Sequence, residues 1–279
     1  MPTGKRKKAE LMLRQRIITA IILLVLLLFA LFFLSTAGWG LLVIVMVMQG
    51  TSEWARLAKL SGKAANGYWW LTLVVVIGIV LLDVNQVLPH LPVYAMSALL
   101  WLAVAPAWLL FGWQLRQPVL MALTGWALLI PTGLALLDLR AASPWWLLGV
   151  MGLVWVADIA AYFVGGKFGK TKLAPRISPG KTWEGVIGAL LGAAAYVPLV
   201  IWLSGADAAT YQRLPSLTLL AWLGVGLAVL GDLFESAIKR QAGVKDSGAL
   251  LPGHGGLLDR IDALTSTLPF AALAMMFQK

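Results

Sequence analysis

The sequence predicts an all-α polytopic membrane protein with about nine transmembrane helices and a cytoplasmic N-terminus. Its composition, the length of its apolar segments and the placement of its positive charges all favour this fold. Of the 279 residues, 60% are hydrophobic and 12% are charged, with a mean hydropathy of +0.86. A soluble domain is nearer half apolar and a quarter charged. The chain is therefore expected to fold within a lipid bilayer.

Nine segments are long and apolar enough to cross a hydrocarbon core, which takes about 20 residues for about 30 Å. The basic residues before the first segment resemble the start of a signal peptide, but the apolar run is too long and further spans follow. The second segment is the weakest, because Glu53 lies near its end. The nine lie near residues 17–35, 38–55, 68–84, 92–112, 118–138, 144–165, 183–204, 216–238 and 260–277.

The positive charges predict the orientation. With the N-terminus in the cytoplasm, nineteen of the 22 Lys and Arg residues fall in inner segments; the outer segments hold Arg140, Arg213 and Lys279. This asymmetry is the one that the positive-inside rule describes. The net charge of +10 thus belongs to loops that face anionic lipid. No nucleic-acid partner is expected, because no soluble basic domain exists to bind one.

Cysteine is absent, and His90 and His254 are the two histidines. These counts exclude thiolate catalysis, disulfides and Cys-ligated metal, and they leave no basis for a multi-histidine zinc site. His90 is interpreted as a solvated residue of an outer loop. His254, in Pro-Gly-His-Gly-Gly, could act as a general base or as a neutral ring that orients a phosphate or a carboxylate.

The acidic residues concentrate in the C-terminal half, although a carboxylate at membrane depth costs several kcal/mol unless it is paired or metal-bound. We therefore expect residues 1–16 to be a basic cytoplasmic segment and residues 17–279 a single transmembrane domain, with its site mainly in 155–262. Apart from Asp207 in an outer loop, the acids of this region are Asp158, Glu184, Asp232, Glu235, Asp246, Asp259 and Asp262.

Two inner loops carry the strongest signals, and the first is Gly165–Gly185. It has five cations, and its glycines allow close backbone approach. Ser178 and Thr182 add hydroxyls, and the residues between them lead into a helix whose first N–H groups could face a phosphate. Positive-inside charge with a simple helix cap explains the same pattern. The loop is not a Walker A motif, because the first glycine of that motif is missing.

The second loop region brings acids and cations to one depth. Asp232, Glu235 and Lys239 recur at helical spacing and hence on one helix face. Glu235 and Lys239 could be only an i,i+4 pair, and Asp259 could be only a helix cap. Together with Asp262, however, these acids converge from two helices across a glycine-rich loop. Convergent carboxylates near cations suit Mg²⁺ with a nucleoside triphosphate.

Within this second region, the sequence resembles the signature of the bacterial phosphatidate cytidylyltransferases, the CDP-diacylglycerol synthases. The matching elements run without a spacing defect through 27 consecutive residues: Ser236-Ala-Ile-Lys-Arg240, Lys245-Asp246, Pro252-Gly-His-Gly-Gly256 and Asp259-Arg-Ile-Asp262. The stretches 158–162 and 177–184 also look like that family. Ile159 stands where the family has a small or hydroxylic residue, so no role is assigned to Asp158.

The resemblance implies transfer of a cytidylyl group from CTP to phosphatidic acid, giving CDP-diacylglycerol and pyrophosphate for phospholipid biosynthesis. It places the enzyme in the bacterial cytoplasmic (inner) membrane with the active site facing the cytoplasm. It implies catalytic roles for Asp232, Lys239, Asp246 and Asp259, with Asp262 as an auxiliary. The three aspartates of the catalytic set would hold Mg²⁺, and no sequence element excludes a second, monovalent cation beside it. The implied substrate-binding residues are Ser178, Lys181, Thr182, Glu184, Ser236, Arg240, Lys245, His254 and Arg260.

Two alternative functions stay open. The first is a CTP-dependent transferase that acts on another lipid phosphate, since the motif separates these acceptors poorly. The second is an ion-coupled transporter, which would place acids near the bilayer midplane in two similar halves. Gly188 and Gly192, four residues apart, fit close helix packing within the chain or in a homodimer equally well.

Overall fold

The computed structural model describes residues 3–85, 87–250 and 255–277, with side chains from residue 18 onwards. The regular secondary structure of the described part is helical, apart from one short hairpin. Its helices are α1 (Thr3–Phe33), α2 (Thr36–Leu57), α3 (Gly62–Val84), α4 (His90–Leu99), a π-helix (Leu100–Val104), α5 (Ala105–Phe111), α6 (Pro118–Ala142), α7 (Pro144–Phe168), α8 (Trp183–Leu203), α9 (Ala208–Gln212), α10 (Leu214–Ala242) and α11 (Leu258–Met276). The hairpin joins β1 (Lys172–Ala174) to β2 (Ser178–Thr182).

The protein is an integral membrane protein with six or seven candidate spans, so the expectation of about nine was wrong. In the described part of the chain, six stretches are long and apolar enough to cross a bilayer, and Ile18–Phe33 is a shorter apolar helix. Large apolar side chains such as Val74 and Leu110 are 65% and 83% exposed, as expected of surfaces that face lipid. The six are α3, His90–Phe111, α6, α7, α8 and α10.

The predicted spans 38–55 and 260–277 correspond to α2 and α11, which are too polar to be counted. Both helices bury polar side chains inside the bundle, among them Glu53, Thr265 and Ser266. The Ser266 hydroxyl, for example, donates to the Leu227 carbonyl at 2.7 Å. Because α11 packs against α4, α6, α7 and α10, its neighbours are protein and it needs no uniformly apolar surface.

Buried tryptophans join the inner helices to one another. An indole N–H in an apolar interior needs an acceptor, and a backbone carbonyl of a neighbouring helix provides one. Three such bonds are Trp39 Nε1 to the Leu136 carbonyl at 3.1 Å, Trp54 Nε1 to the Met121 carbonyl at 2.6 Å and Trp101 Nε1 to the Thr265 carbonyl at 3.1 Å. They fix α2 against α6 and the π-helix against α11.

Gly188 and Gly192 serve packing within the chain. A Cβ at Gly188 would lie 2.6 Å from Cβ of Val164, and one at Gly192 would lie 2.8 Å from Cβ of Ala160. Their missing side chains therefore let α8 approach α7 closely. This use of the pair removes it as an argument for a homodimer.

The two ends of the bundle differ in character. We call the end where α2, α7 and α10 finish and α11 begins the signature end, because the 236–262 motif lies there. At the opposite end, Arg140 on α6 donates through Nε to the Leu31 carbonyl at 2.9 Å and through Nη2 to the Leu34 carbonyl. Its guanidinium also lies 5.1 Å from the ring centroid of Trp39. Arg140 thus satisfies carbonyls at the end of α1 that have no partner within that helix.

His90 also lies at the opposite end, and its interpretation as a solvated loop residue was wrong. It begins α4, and its Nε2 lies 2.9 Å from Asp83 Oδ1 while its Nδ1 lies 2.7 Å from Asp138 Oδ2. The Tyr94 hydroxyl donates to the same Asp138 oxygen at 2.6 Å. One ligand atom from each of Asp83, His90 and Asp138 lies within 4.8 Å of the others, so this group could hold a metal ion. It is far from the signature end.

The cytoplasmic orientation of the signature end stays a prediction, and the natural lack of cysteine makes it testable. Lys170→Cys places a thiol beside the hairpin, and Ala209→Cys places one on α9 at the opposite end. In intact cells, a membrane-impermeant maleimide should label only Ala209→Cys, and Lys170→Cys should react after lysis. The reverse pattern would contradict the orientation.

Trp101→Phe should destabilise the bundle by about 1–2 kcal/mol, because it leaves the Thr265 carbonyl without its indole donor in an apolar interior. Trp202→Phe is the matched control, since Trp202 is 67% exposed, and it should change stability by less than about 0.5 kcal/mol. Thermal unfolding in detergent would measure both variants. Equal melting temperatures would show that the bond contributes nothing to stability.

Candidate active site

The first predicted loop forms a hairpin that delivers β2 to the signature end. Strands β1 and β2 are antiparallel, with Lys172 opposite Thr182 and Ala174 opposite Ser178. Thr182 caps α8, because its Oγ1 accepts the Gly185 N–H at 3.1 Å. The simple helix-cap interpretation of Thr182 is therefore confirmed. Glu184 accepts the Thr171 N–H at 3.1 and 3.2 Å through its two oxygens, which ties the start of α8 to the start of the hairpin.

Lys181 connects this hairpin to the acids of α10. Its Nζ lies 2.6 Å from Asp232 Oδ2, with 24% of the lysine and 32% of the aspartate side chain exposed. Ser236, one turn further along α10, donates to Asp232 Oδ1 at 3.2 Å. Asp158 on α7 is close enough to Lys181 and Asp232 for their charges to interact. The cation that Asp232 lacks on its own helix thus comes from the other loop.

Lys239 joins the two helices of the signature. Its Nζ lies 3.1 Å from Glu235 Oε1 on α10 and 2.6 Å from Asp259 Oδ1 on α11. The expected i,i+4 pair exists, but it extends to a third residue on another helix. All three side chains are almost wholly buried, with exposures of 10%, 7% and 5% in that order. A buried charge needs such partners to be tolerated.

Asp259 organises the loop that precedes it. Its Oδ2 accepts the Ser247 N–H at 2.9 Å, the Ser247 hydroxyl at 3.0 Å and the Gly256 N–H at 2.8 Å. Both carboxylate oxygens therefore have protein donors, because Oδ1 contacts Lys239. One turn later, Asp262 accepts the Ala263 N–H at 2.8 Å, and its charge interacts with those of Asp232 and Lys239.

The other predicted residues surround this cluster. Arg240 donates from Nε to the Ile177 carbonyl at 3.4 Å and from Nη1 to the Val244 carbonyl at 3.3 Å, so it connects the two loops. Four predicted residues are exposed: Arg240, Lys245, Asp246 and Arg260. His254 lies outside the described residues. The roles assigned to all the predicted site residues stay predictions.

Gly231 explains how α10 and α11 come close enough to gather these acids. A Cβ at this position would lie 2.6 Å from the Asp262 carbonyl oxygen and 2.7 Å from Ser266 Oγ. Only a residue without a side chain lets the two backbones meet here. The contact sets the separation between Asp232, the next residue on α10, and Asp262.

Sequence reasoning missed Glu53. This residue of α2 has no solvent exposure, yet it accepts the N–H groups of Leu257 and Leu258 at 2.8 and 2.9 Å and the Ser247 hydroxyl at 2.8 Å. The available signal was an acid inside an apolar segment, the criterion that identified the C-terminal acids. In the sequence analysis, the acid at position 53 was used only as evidence that the second predicted span was weak, and not as evidence for a functional residue.

The helical bundle and its clustered carboxylates and ammonium groups define an integral membrane protein with a polar site at one end. A model of the Cytidylyltransferase family matches residues 14–278. A phosphatidate cytidylyltransferase of Haemophilus influenzae is 37% identical over 288 residues, covering 95% of this chain and 99% of that protein. The chain belongs to the phosphatidate cytidylyltransferase family, which confirms the resemblance.

Other relatives carry the same name. The phosphatidate cytidylyltransferase of Pseudomonas aeruginosa is 41% identical over 278 residues, covering 94% of this chain and 97% of that protein. That of Thermotoga maritima is 46% identical over 123 residues, which cover 43% of this chain and 45% of that protein. The alignments with the Haemophilus influenzae and Pseudomonas aeruginosa proteins cover 95% and 94% of this chain, so they include both the helices and the candidate site.

Gly231→Ala should destabilise the protein by about 1–3 kcal/mol and reduce its activity, because the new methyl group collides with the backbone of α11. Gly226→Ala on the same helix is the control, since a Cβ there would meet nothing within 4 Å. Melting temperatures in detergent and turnover would be compared for the two variants. Similar values for both would refute the close contact.

Proposed function

We propose that this chain transfers the cytidylyl group of CTP to phosphatidic acid, forming CDP-diacylglycerol and releasing pyrophosphate. The observation that carries the proposal is family membership along nearly the whole chain, with relatives that are named phosphatidate cytidylyltransferases. The ion pairs of Lys181 and Lys239 with aspartates at the signature end supply the polar groups that two polyanionic substrates need.

The placement of the cluster suits a substrate that is half lipid. The acids and lysines lie where α10 ends and α11 begins, at one end of a bundle whose sides expose apolar residues. The acyl chains of phosphatidic acid would stay in the bilayer while its phosphate reaches this end. The positive-inside asymmetry supports a cytoplasmic position for the site, where CTP is available.

The reaction mainly requires that the two substrates be aligned with each other. The phosphate of phosphatidic acid is already an anionic nucleophile, so the chain need not supply a strong base. One of its oxygens would attack the α-phosphorus of CTP, and the bond from that phosphorus to the β-phosphate oxygen would break as pyrophosphate leaves. Lys181 and Lys239 would hold and neutralise phosphate oxygens, which favours this in-line arrangement. Lys181 would then exchange Asp232 for a phosphate.

The charges of the cluster fit a divalent cation. Its two ammonium groups, on Lys181 and Lys239, face five acidic side chains, and the ionised carboxylates among them would repel a triphosphate without further positive charge. When bound, Mg²⁺ would supply that charge and stabilise the departing pyrophosphate. The acidic side chains are those of Asp158, Asp232, Glu235, Asp259 and Asp262.

Oxygen ligands of this kind are those that Mg²⁺ prefers, and Asp232, Asp246 and Asp259 would hold it. Asp232 is more available than Asp259, since it is partly exposed and its protein contacts are Lys181 and Ser236. Asp259 would have to exchange Lys239 or a loop donor for the ion. A second, monovalent cation beside it is part of the same proposal.

Two alternatives remain as outcomes of experiment. Another lipid phosphate could replace phosphatidic acid, because the described site contacts distinguish phosphates poorly from one another. An ion-coupled transporter is less well supported, because the five acids of the cluster lie at one end of the bundle and the family is one of transferases.

Purified protein with Mg²⁺, CTP and phosphatidic acid should release pyrophosphate, and Asp232→Asn should reduce this about 100-fold or more by removing a metal-binding charge. Asp207→Asn is the control, because Asp207 caps the short helix α9 and contacts Thr210 there. Turnover and size-exclusion profiles would be measured for both variants.

Full activity of Asp232→Asn would remove the metal assignment. A panel of lipid phosphates would decide the acceptor, and faster turnover of another acceptor would replace phosphatidic acid in the proposal. No turnover with any acceptor, combined with ion flux in liposomes, would favour the transporter.

A further inference from the structure

Glu53 is a buried carboxylate that serves residues far away in the sequence. It lies in the last turns of α2 with no solvent exposure. Its Oε1 accepts from Gln49 Nε2 at 2.9 Å and from the Leu257 N–H at 2.8 Å. Its Oε2 accepts from the Ser247 hydroxyl at 2.8 Å and from the Leu258 N–H at 2.9 Å. Three of these four donors, those of residues 247, 257 and 258, lie between the matching elements of the 236–262 signature.

Two of those donors are the N–H of Leu257, the residue before α11, and the N–H of Leu258, the first residue of the helix. A helix start leaves N–H groups without partners, and the residue before the helix often supplies an oxygen for them. Leu257 stands at that position and has no such oxygen. Glu53 therefore caps α11 from another helix, and its negative charge is favourable at the positive end of the α11 dipole.

The glycines on both sides of the loop are packed onto this carboxylate. A Cβ at Gly256 would lie 2.3 Å from Glu53 Oε2 and 2.2 Å from Ser247 Oγ. A Cβ at Gly248 would lie 3.0 Å from Glu53 Oε1 and 2.8 Å from Arg56 Nη2. The backbone can thus approach Glu53 because neither position carries a side chain.

Glu53 is also connected to the reacting end of the site through Ser247. The Ser247 hydroxyl lies 2.8 Å from Glu53 Oε2 and 3.0 Å from Asp259 Oδ2. Asp259 in turn contacts Lys239 at 2.6 Å. One chain of contacts therefore runs from α2 through the loop to the ammonium group of α10.

We propose that Glu53 is a positioning residue that holds Ser247 and the start of α11 so that Asp259 and Lys239 face the substrates in working geometry. This inference rests on the proposed cytidylyl transfer for its catalytic consequence. Glu53 does not touch the substrates; it acts through Asp259. Residues that orient site groups in this way change activity by about 10–100-fold when they are replaced.

Glu53→Gln is the informative variant. Glutamine has nearly the same volume, but one of its two terminal atoms is an amide nitrogen, which donates. Wherever this nitrogen replaces a carboxylate oxygen, it faces another donor, the N–H of Leu257 or that of Leu258, and the hydrogen bond is lost. Thr51→Val is the matched control on the same helix. Thr51 is equally buried, and its hydroxyl donates to the Val47 carbonyl at 2.8 Å within α2.

In the full-length protein with phosphatidic acid, CTP and Mg²⁺, Glu53→Gln should lower kcat about 10–100-fold and leave KM for CTP within a few-fold. Amide hydrogen exchange at Leu257 and Leu258 should accelerate, because these N–H groups lose an acceptor. Thr51→Val should keep the kcat and the exchange rates of the wild type. Glu53→Asp retains the charge and should recover part of the lost kcat.

A kcat for Glu53→Gln within twofold of that of Thr51→Val would overturn the positioning role. Unchanged amide exchange at Leu257 and Leu258 would overturn it as well. Wild-type protein that consumes no CTP would refute the proposed function instead, and the exchange rates would still decide whether Glu53 holds the loop.

Discussion

The contact between Lys239 and Asp259 is the interaction on which the site depends. The two side chains are almost fully buried and come from α10 and α11, so neither charge is tolerable without the other. The second oxygen of Asp259 accepts the N–H groups of Ser247 and Gly256, so Lys239 is connected to the loop through Asp259. Glu53 then holds the same loop from α2. A change at any of these groups reaches the others through shared partners.

The surrounding bundle makes such a polar interior possible. Helices α3 to α8 and α10 present apolar surface outward, whereas buried polar side chains face the interior from α2, α10 and α11. The buried indole, hydroxyl and ammonium donors of Trp39, Trp54, Trp101, Ser266 and Lys239 all have carbonyl or carboxylate acceptors, as a lipid environment requires. Gly231 brings α10 and α11 together, and Gly188 and Gly192 do the same for α7 and α8. Close backbone contact thus replaces bulky apolar packing near the site.

Part of this arrangement could be predicted from the sequence. Hydropathy predicted the membrane class and most helix positions. The cost of acids in lipid identified Asp232 and Asp259 as candidate site residues; the structure brings both to one end of the bundle, and their roles stay predictions. Span counting failed for α2 and α11, because hydropathy cannot tell lipid-facing from protein-facing helices. Glu53 and His90 were misjudged for a related reason. Their partners lie far away in the sequence, at Leu257 and Asp138, and no local sequence pattern predicts such contacts.

The central position of α11 bears on how the protein is made. This helix follows all the other described helices in the chain, yet it packs against four of them. A segment with Asp259, Asp262, Thr265 and Ser266 has little drive to partition into lipid alone. During synthesis, the earlier helices would therefore enter the membrane first and keep a polar-lined slot for it. When α11 then packs between these helices, it would complete the core, and Glu53 would bind the N–H groups at its start in the same late step.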